Sequence, residues 1–285
     1  MLFVAVLTNI CENSLVYFLT PWFEKICREQ TDMEARKSRT KKALKNIFKG
    51  IYQLSTSILA YVMLKDTYIM PPILGGNGAL SDHLKDFPYW EHPPLYTVFY
   101  MTCFGYNVAG LVQELFFEDW KRYDFVEMLF HHVVTVYLIG FSFLGSFFIG
   151  APILLIHNAS DTLISFTRSW NESKYYSNAF YLFVASVVVW LYTRCFVFPQ
   201  IVYVSIFQTH HELVPPLLFI LFRFCLISLQ LLHIYWTFLI FKMIHARLFL
   251  GVTDDLIQRN KLSEKDQQLL NGPADNGDEK KKKRE

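Results

Sequence analysis

Apolar runs of about 20 residues, the length that crosses a bilayer as a helix, recur along this sequence. They fall at roughly 50–69, 94–117, 125–144, 151–168, 177–207 and 216–243. Inside hydrocarbon every backbone N–H and C=O must be satisfied within the segment, so such runs fold as helices. Composition agrees: 53% of residues are hydrophobic and only 18% are charged, below the roughly 25% of a soluble domain. The expected fold is an all-α polytopic membrane protein with a six-helix transmembrane core. Residues 2–23 are also apolar but are broken by Asn9, Glu12 and Asn13. They read as a seventh, N-terminal span or as an interfacial helix, and lack the basic start and small-residue site of a cleaved signal peptide. The chain divides into this segment (1–23), a basic stretch (24–49), a transmembrane domain (50–250) and a polar, disordered tail (251–285). Pro71, Pro72, Gly75, Gly76 and Gly78 make 70–93 a loop, and Pro199 is expected to kink or end its span.

Charge sets the orientation. Arg36, Lys37, Arg39, Lys41, Lys42, Lys45 and Lys49 share one side with Lys121, Arg122, Arg168, Lys174, Lys242 and Arg247. The opposite loops carry Lys85 against Asp82, Asp86, Glu91 and Glu212. The positive-inside rule puts the basic side in the cytosol. The sequence ends Lys282-Lys283-Arg284-Glu285, with lysines third and fourth from the end, the pattern of an endoplasmic reticulum retrieval signal that must face the cytosol. A multi-pass protein of that membrane with a cytosolic C-terminus is expected. Cys11, Cys27, Cys103, Cys195 and Cys225 are scattered and suggest neither a disulfide framework nor a zinc site.

Several ionisable residues sit inside these spans, where each costs roughly 2.5–3.5 kcal/mol or more. They are His131 and His132 in one span, then His157, Asn158 and Asp161 in the next. His157 and Asp161 are four apart and share a helix face. At about 1.5 Å per residue the two clusters reach similar depths, nearer the cytosol, and Gln230 and His233 of the last span join them. Imidazoles beside a carboxylate suit general acid–base or nucleophilic chemistry. Three His and one Asp could alternatively ligate a metal, but the spacing matches no standard motif, and no metal is expected. Arg194 and Arg223 fall toward the lumenal half, where a structural pairing with acidic groups, helix carbonyls or a headgroup is expected.

The run Lys121-Arg122-Tyr123-Asp124-Phe125-Val126-Glu127-Met128-Leu129-Phe130-His131-His132 continues through Thr135, Leu138 and Ser142 to Ile156-His157-Asn158-Ala159-Ser160-Asp161. It resembles the signature of the ceramide synthase branch of the TLC-domain family. Phe87-Pro88-Tyr89-Trp90, Arg194 with Phe198-Pro199, and Leu229-Gln230-Leu231-Leu232-His233 before Trp236 extend the likeness over roughly 85–250. The resemblance implies a TLC-type core and N-acylation of a sphingoid base by fatty acyl-CoA, giving ceramide or dihydroceramide with no further cofactor. The implied partners are acyl-CoA, the sphingoid base, the bilayer and other subunits in a homo- or hetero-oligomer, but no nucleic acid. It makes His131 and His132 the catalytic imidazoles, with His157 and Asp161 orienting and charge-balancing them. Asn158, Gln230 and His233 would contact substrate, and Lys121, Arg122, Arg168 and Lys174 would meet the CoA phosphates. Two positions depart from the family pattern: Asn158 stands for an Asp, and Ser165 for a Glu. These departures frame the alternative, a non-catalytic TLC protein that binds, senses or transports lipid.

Overall fold

The computed structural model describes residues 2–249 except 86, 88, 90, 123 and 209–213, without the side chains at 2 and 246–249. Pro88, Trp90, Tyr123, Glu212 and the tail with its terminal lysines therefore lie outside the described residues, as does the Arg247 side chain. The helices are α1 (Leu2–Phe23), α2 (Met33–Leu64), α3 (Tyr96–Phe117), α4 (Phe125–Leu144), α5 (Gly150–Asn171), α6 (Ala179–Trp190), α7 (Phe198–Tyr203) and α8 (Pro216–Phe249). No strand occurs among the described residues; an isolated bridge joins Cys27 and Ser173. Five segments are long and apolar enough to cross a membrane: Phe3–Phe23, Met33–Leu64, Phe125–Leu144, Tyr176–Gln208 and Pro216–His245. The chain is an all-α polytopic membrane protein. Helices α3 and α5 are as long as α1 but more polar. For α5 the reason is enclosure: Gly150 to His157 are all buried, so its polar groups face other helices rather than lipid.

Helix α2 begins at Met33, within the basic stretch. Asp32 caps it, accepting from Glu34 N at 2.9 Å and Ala35 N at 3.3 Å. The run is rich in Lys, Arg and Ala, which favour helix. Its basic residues are held by Glu172, which is buried and pairs with Arg39 at 2.9 Å and Lys42 at 3.0 Å. Further along, α2 lies on α5 through buried Gly50, Gln53, Thr56, Ser57 and Ala60. A Cβ at Gly50 would come within 2.8 Å of the Phe166 ring, so only glycine allows this approach. Small residues and interhelical hydrogen bonds are what bind helices in a bilayer, where burial of apolar surface gives no advantage over lipid.

Helices α6 and α7 form one rod. A π-helical turn, Leu191–Val197, joins them, and a second, Val204–Gln208, follows. Pro199 sits in the first turn of α7, where its missing N–H costs least. The span therefore changes pitch at Pro199 and runs on to Gln208. The π turn is also what aims Thr193, Arg194 and Val197 inward, since all three are buried.

The loop after α2 folds back onto one end of the bundle, the capped end, as two short 3-10 turns, Pro72–Leu74 and Leu80–Leu84. It buries Ile69, Met70, Leu80 and Leu84 against Tyr96, Phe99, Phe147 and Phe148. The opposite, basic end carries the 118–124 and 172–178 loops. His83 is 2% exposed in the capping loop, with Nδ1 3.0 Å from the Leu80 carbonyl oxygen. Burial pushes its pKa down to about 4. The folded protein then binds fewer protons than the unfolded chain between that value and about 6.5, so stability falls as pH drops through this window. Stability, followed by thermal melting, should decline from pH 7.5 to 4.5, by up to roughly 3 kcal/mol from this group. His83→Asn should narrow the difference; an unchanged pH dependence would contradict the assignment.

Candidate functional site

The polar residues of α4 and α5 converge on a cleft inside the bundle. Asn107, His131, His157, Asn158 and Asp161 line its end nearer the basic face, and Leu138, Ile139, Ser142, Gly150, Leu154 and Phe222 line the rest. Antiparallel α4 and α5 thus place a polar region at one depth and an apolar channel toward the capped end.

The centre of the polar region is Arg194, 2% exposed. Its Nη2 donates to Asp161 Oδ1 at 2.7 Å and to the His157 carbonyl at 3.3 Å. Its Nε donates to Ser160 Oγ at 3.1 Å, and its Nη1 lies 2.9 Å from His233 Nε2. A guanidinium can only donate, so His233 Nε2 accepts and the ring proton sits on Nδ1. The group also lies 5.1 Å from the Trp190 ring centroid, a cation–π distance. The sequence suggested a more lumenal, structural Arg194. The expected pairing with an acidic group and a helix carbonyl is present, but it places the guanidinium level with His157 and Asp161. The detectable signal is a cation and a carboxylate each isolated in an apolar run, although nothing in their spacing says that they meet.

His157 is similarly defined. Its Nδ1 lies 2.7 Å from the Ile153 carbonyl oxygen, which can only accept. The proton is therefore on Nδ1, and Nε2 keeps its basic lone pair. That Nε2 is buried and has no hydrogen-bond partner among the described residues. The Asp161 carboxylate is turned to Arg194 rather than to an imidazole, so the charge-balancing role assigned to it from the sequence is taken up by a guanidinium. Its side chain remains 35% exposed, leaving carboxylate surface open to the cleft.

The two adjacent histidines are not equivalent. His131 lines the cleft, with its ring 5.1 Å from Trp236 and 5.7 Å from His132. His132 is turned toward α3, its Cε1 3.1 Å from where a Cβ on Gly110 would lie. Neither Nδ1 has a hydrogen-bond partner among the described residues. The His233 ring lies tilted at 46°, 5.1 Å from that of His157, while Gln230 Nε2 donates to the Arg194 carbonyl at 3.5 Å and its Oε1 has no hydrogen-bond partner among the described residues.

Both departures from the family pattern are matched by local partners. Asn158 Nδ2 donates to Thr56 Oγ1 at 3.0 Å, and that hydroxyl donates onward to the Tyr52 carbonyl at 2.9 Å. Ser165 Oγ bonds the Gln53 side chain at 2.8 Å. The amide and hydroxyl thus tie α5 to α2. At the basic end, Arg122 is held by Glu114 at 2.6 Å, Glu118 at 2.9 Å and Asp124 at 2.5 Å. Three carboxylates thus engage one guanidinium, whose donors are directed within the protein. Lys121 and Arg168 are exposed and make no ion pair among the described residues. Lys174 lies 5.3 Å from the Tyr175 ring centroid. Among the described residues no three His, Cys, Asp or Glu side chains are grouped as a metal site requires.

Comparison with known proteins points the same way. The profile of the TLC domain matches residues 45–242. Human Ceramide synthase 4 is 29% identical over 228 residues, covering 79% of this chain and 54% of that protein. Mouse Ceramide synthase 4 is 34% identical over 176 residues, 59% of this chain and 44% of that protein. Ceramide synthase LOH2 of Arabidopsis thaliana is 35% identical over 157 residues, with 52% of each chain covered. The chain spans about half the length of these curated relatives.

Removing Arg194 strips the Asp161 carboxylate, inside the bundle, of its cationic partner, and leaves Ser160 Oγ and His233 Nε2 without their donor. Arg194→Met should destabilise the protein by roughly 3–5 kcal/mol. Adding Asp161→Asn should recover part of that loss, a non-additivity of about 0.5–3 kcal/mol. Thermal melting of the single and double variants in detergent measures it, and strictly additive losses would contradict the pairing.

Proposed function

We propose an activity from one premise: the chain belongs to the TLC-domain family, whose profile covers most of it. The activity is transfer of a fatty acyl group from CoA to the amino group of a sphingoid base, giving ceramide or dihydroceramide. The relatives named as ceramide synthases support it. The observation that carries it is a buried imidazole with a bare Nε2, His157, on an apolar cleft beside His131 and a half-open carboxylate.

In this reading the amine nitrogen attacks the thioester carbonyl as an imidazole Nε2 takes the amine proton. The C–N bond forms, the C–S bond breaks, and the imidazolium returns the proton to the CoA sulfur. The tautomer fixed by Ile153 equips His157 as the base, with His131 at the same cleft to polarise the carbonyl or take the acyl group. Asp161 suits the substrate ammonium, which first releases one proton to water to give the neutral amine that attacks, because Arg194 holds only one of the Asp161 oxygens. Exposed Lys121 and Arg168 at the basic end suit the CoA phosphates. The acyl chain runs down the apolar channel, and no further cofactor is required. The basic end faces the cytosol in an endoplasmic reticulum membrane, where acyl-CoA is supplied from the aqueous side.

The test is N-acylation by purified protein in nanodiscs, with a sphingoid base and acyl-CoA. The wild type should form the amide. His157→Ala and the His131→Ala/His132→Ala double variant should each lower the rate by about 10²–10⁴ with unchanged elution in size-exclusion chromatography. Undiminished turnover in the double variant would contradict the mechanism.

A further inference from the structure

The apolar channel is closed at its far end, and its depth can be read from the helices that form it. From His131 to Ser142 the α4 axis advances roughly 16 Å, and from His157 to Gly150 the α5 axis roughly 10 Å, at about 1.5 Å per residue. At that depth Tyr100 Oη and Ser142 Oγ are hydrogen bonded at 2.8 Å. Gly150 is packed so closely there that a Cβ would fall 1.8 Å from Ser142 Oγ and 2.6 Å from Tyr100 Oη. Behind this floor stands an aromatic plug. Phe147 lies 5.0 Å from Phe222 and 5.7 Å from Phe219, and Tyr100 lies 4.6 Å from Tyr96. Phe147, Tyr96 and Tyr100 are each 1% exposed or less, so a chain cannot thread past them without displacing packed rings. Phe222 belongs to both the plug and the channel wall.

On the reading proposed above, in which this channel seats the acyl chain, we infer that the Ser142–Tyr100–Gly150 floor and the Phe222 ring set the acyl-chain length that the protein accepts. An extended chain advances about 1.2 Å per bond, taking three bonds per 3.3–3.6 Å as in extended backbone. The depth then accommodates acyl groups of roughly 10–14 carbons. Longer acyl groups must displace the plug or bend back toward the bilayer.

The test is the same N-acylation assay with saturated acyl-CoAs of graded length, from 8 to 24 carbons, run on wild type, Phe222→Ala and Leu138→Trp. Wild-type kcat/KM should peak at roughly 10–14 carbons and fall at least tenfold for longer chains. Phe222→Ala should move the optimum longer, and Leu138→Trp, which narrows the channel short of the floor, should move it shorter. A wild-type optimum at 18 carbons or beyond, or a flat profile, overturns the inference while leaving the proposed reaction intact. So does an active Phe222→Ala with the wild-type profile. If Phe222→Ala does not fold, the wild-type profile alone decides. Wild type inactive with every acyl-CoA would sink the proposed reaction itself, and the length rule with it.

Discussion

A guanidinium keeps its proton in any protein environment, so an arginine inside a membrane bundle must be met by acceptors or it will not stay there. Arg194 is met by four: Asp161 Oδ1, Ser160 Oγ, the His157 carbonyl and His233 Nε2. These partners come from α5 and α8, so one side chain fixes the α6–α7 rod against both. It also settles chemistry at a distance. It makes His233 Nε2 an acceptor, occupies one oxygen of Asp161, and leaves the His157 ring to bond its own helix at Ile153. The basic lone pair on His157 Nε2 is thus part of an arrangement that Arg194 anchors.

The cleft is polarised along its length, polar toward the basic end and apolar toward the capped end. That division suits an amphiphile whose reacting headgroup stays near water while its chain lies among side chains. The buried hydrogen bonds of Asn158 with Thr56 and of Ser165 with Gln53 hold α2 and α5 together beside the cleft. Where the resemblance implies carboxylates, this chain has groups matched to neutral partners. It therefore does without two further charges to bury.

Much of this was legible in the sequence, for identifiable reasons. Apolar run length marked the helices at 50–69, 125–144, 177–207 and 216–243, because a bilayer imposes its thickness on any helix that crosses it, whereas 94–117 and 151–168 form helices that are not among the five apolar enough to cross by composition. The spacing of His157 and Asp161 put them on one face because helix periodicity is local. What is not local was not legible. Arg194 read as more lumenal because depth was counted along its own span, whereas its partners Asp161, His157 and His233 lie on other helices that such a count does not locate. The engagement of Arg122 by three carboxylates at once was not legible because Glu114, Glu118 and Asp124 come from two sides of a turn. His131 and His132 read as a pair, yet neighbours in a helix point about 100° apart, and Gly110 of α3 receives the second of them.

The central claim is that the cleft between α4 and α5 seats a lipid chain with its reacting end at the imidazoles. Photo-crosslinking with an acyl-CoA that carries a diazirine midway along its chain tests this most directly, with adducts mapped by peptide mass spectrometry. The account predicts adducts on channel-lining residues such as Leu138 and Leu154, with competition by unlabelled acyl-CoA. Adducts confined to the outward faces of α1 and α8, with none in the channel, would contradict it.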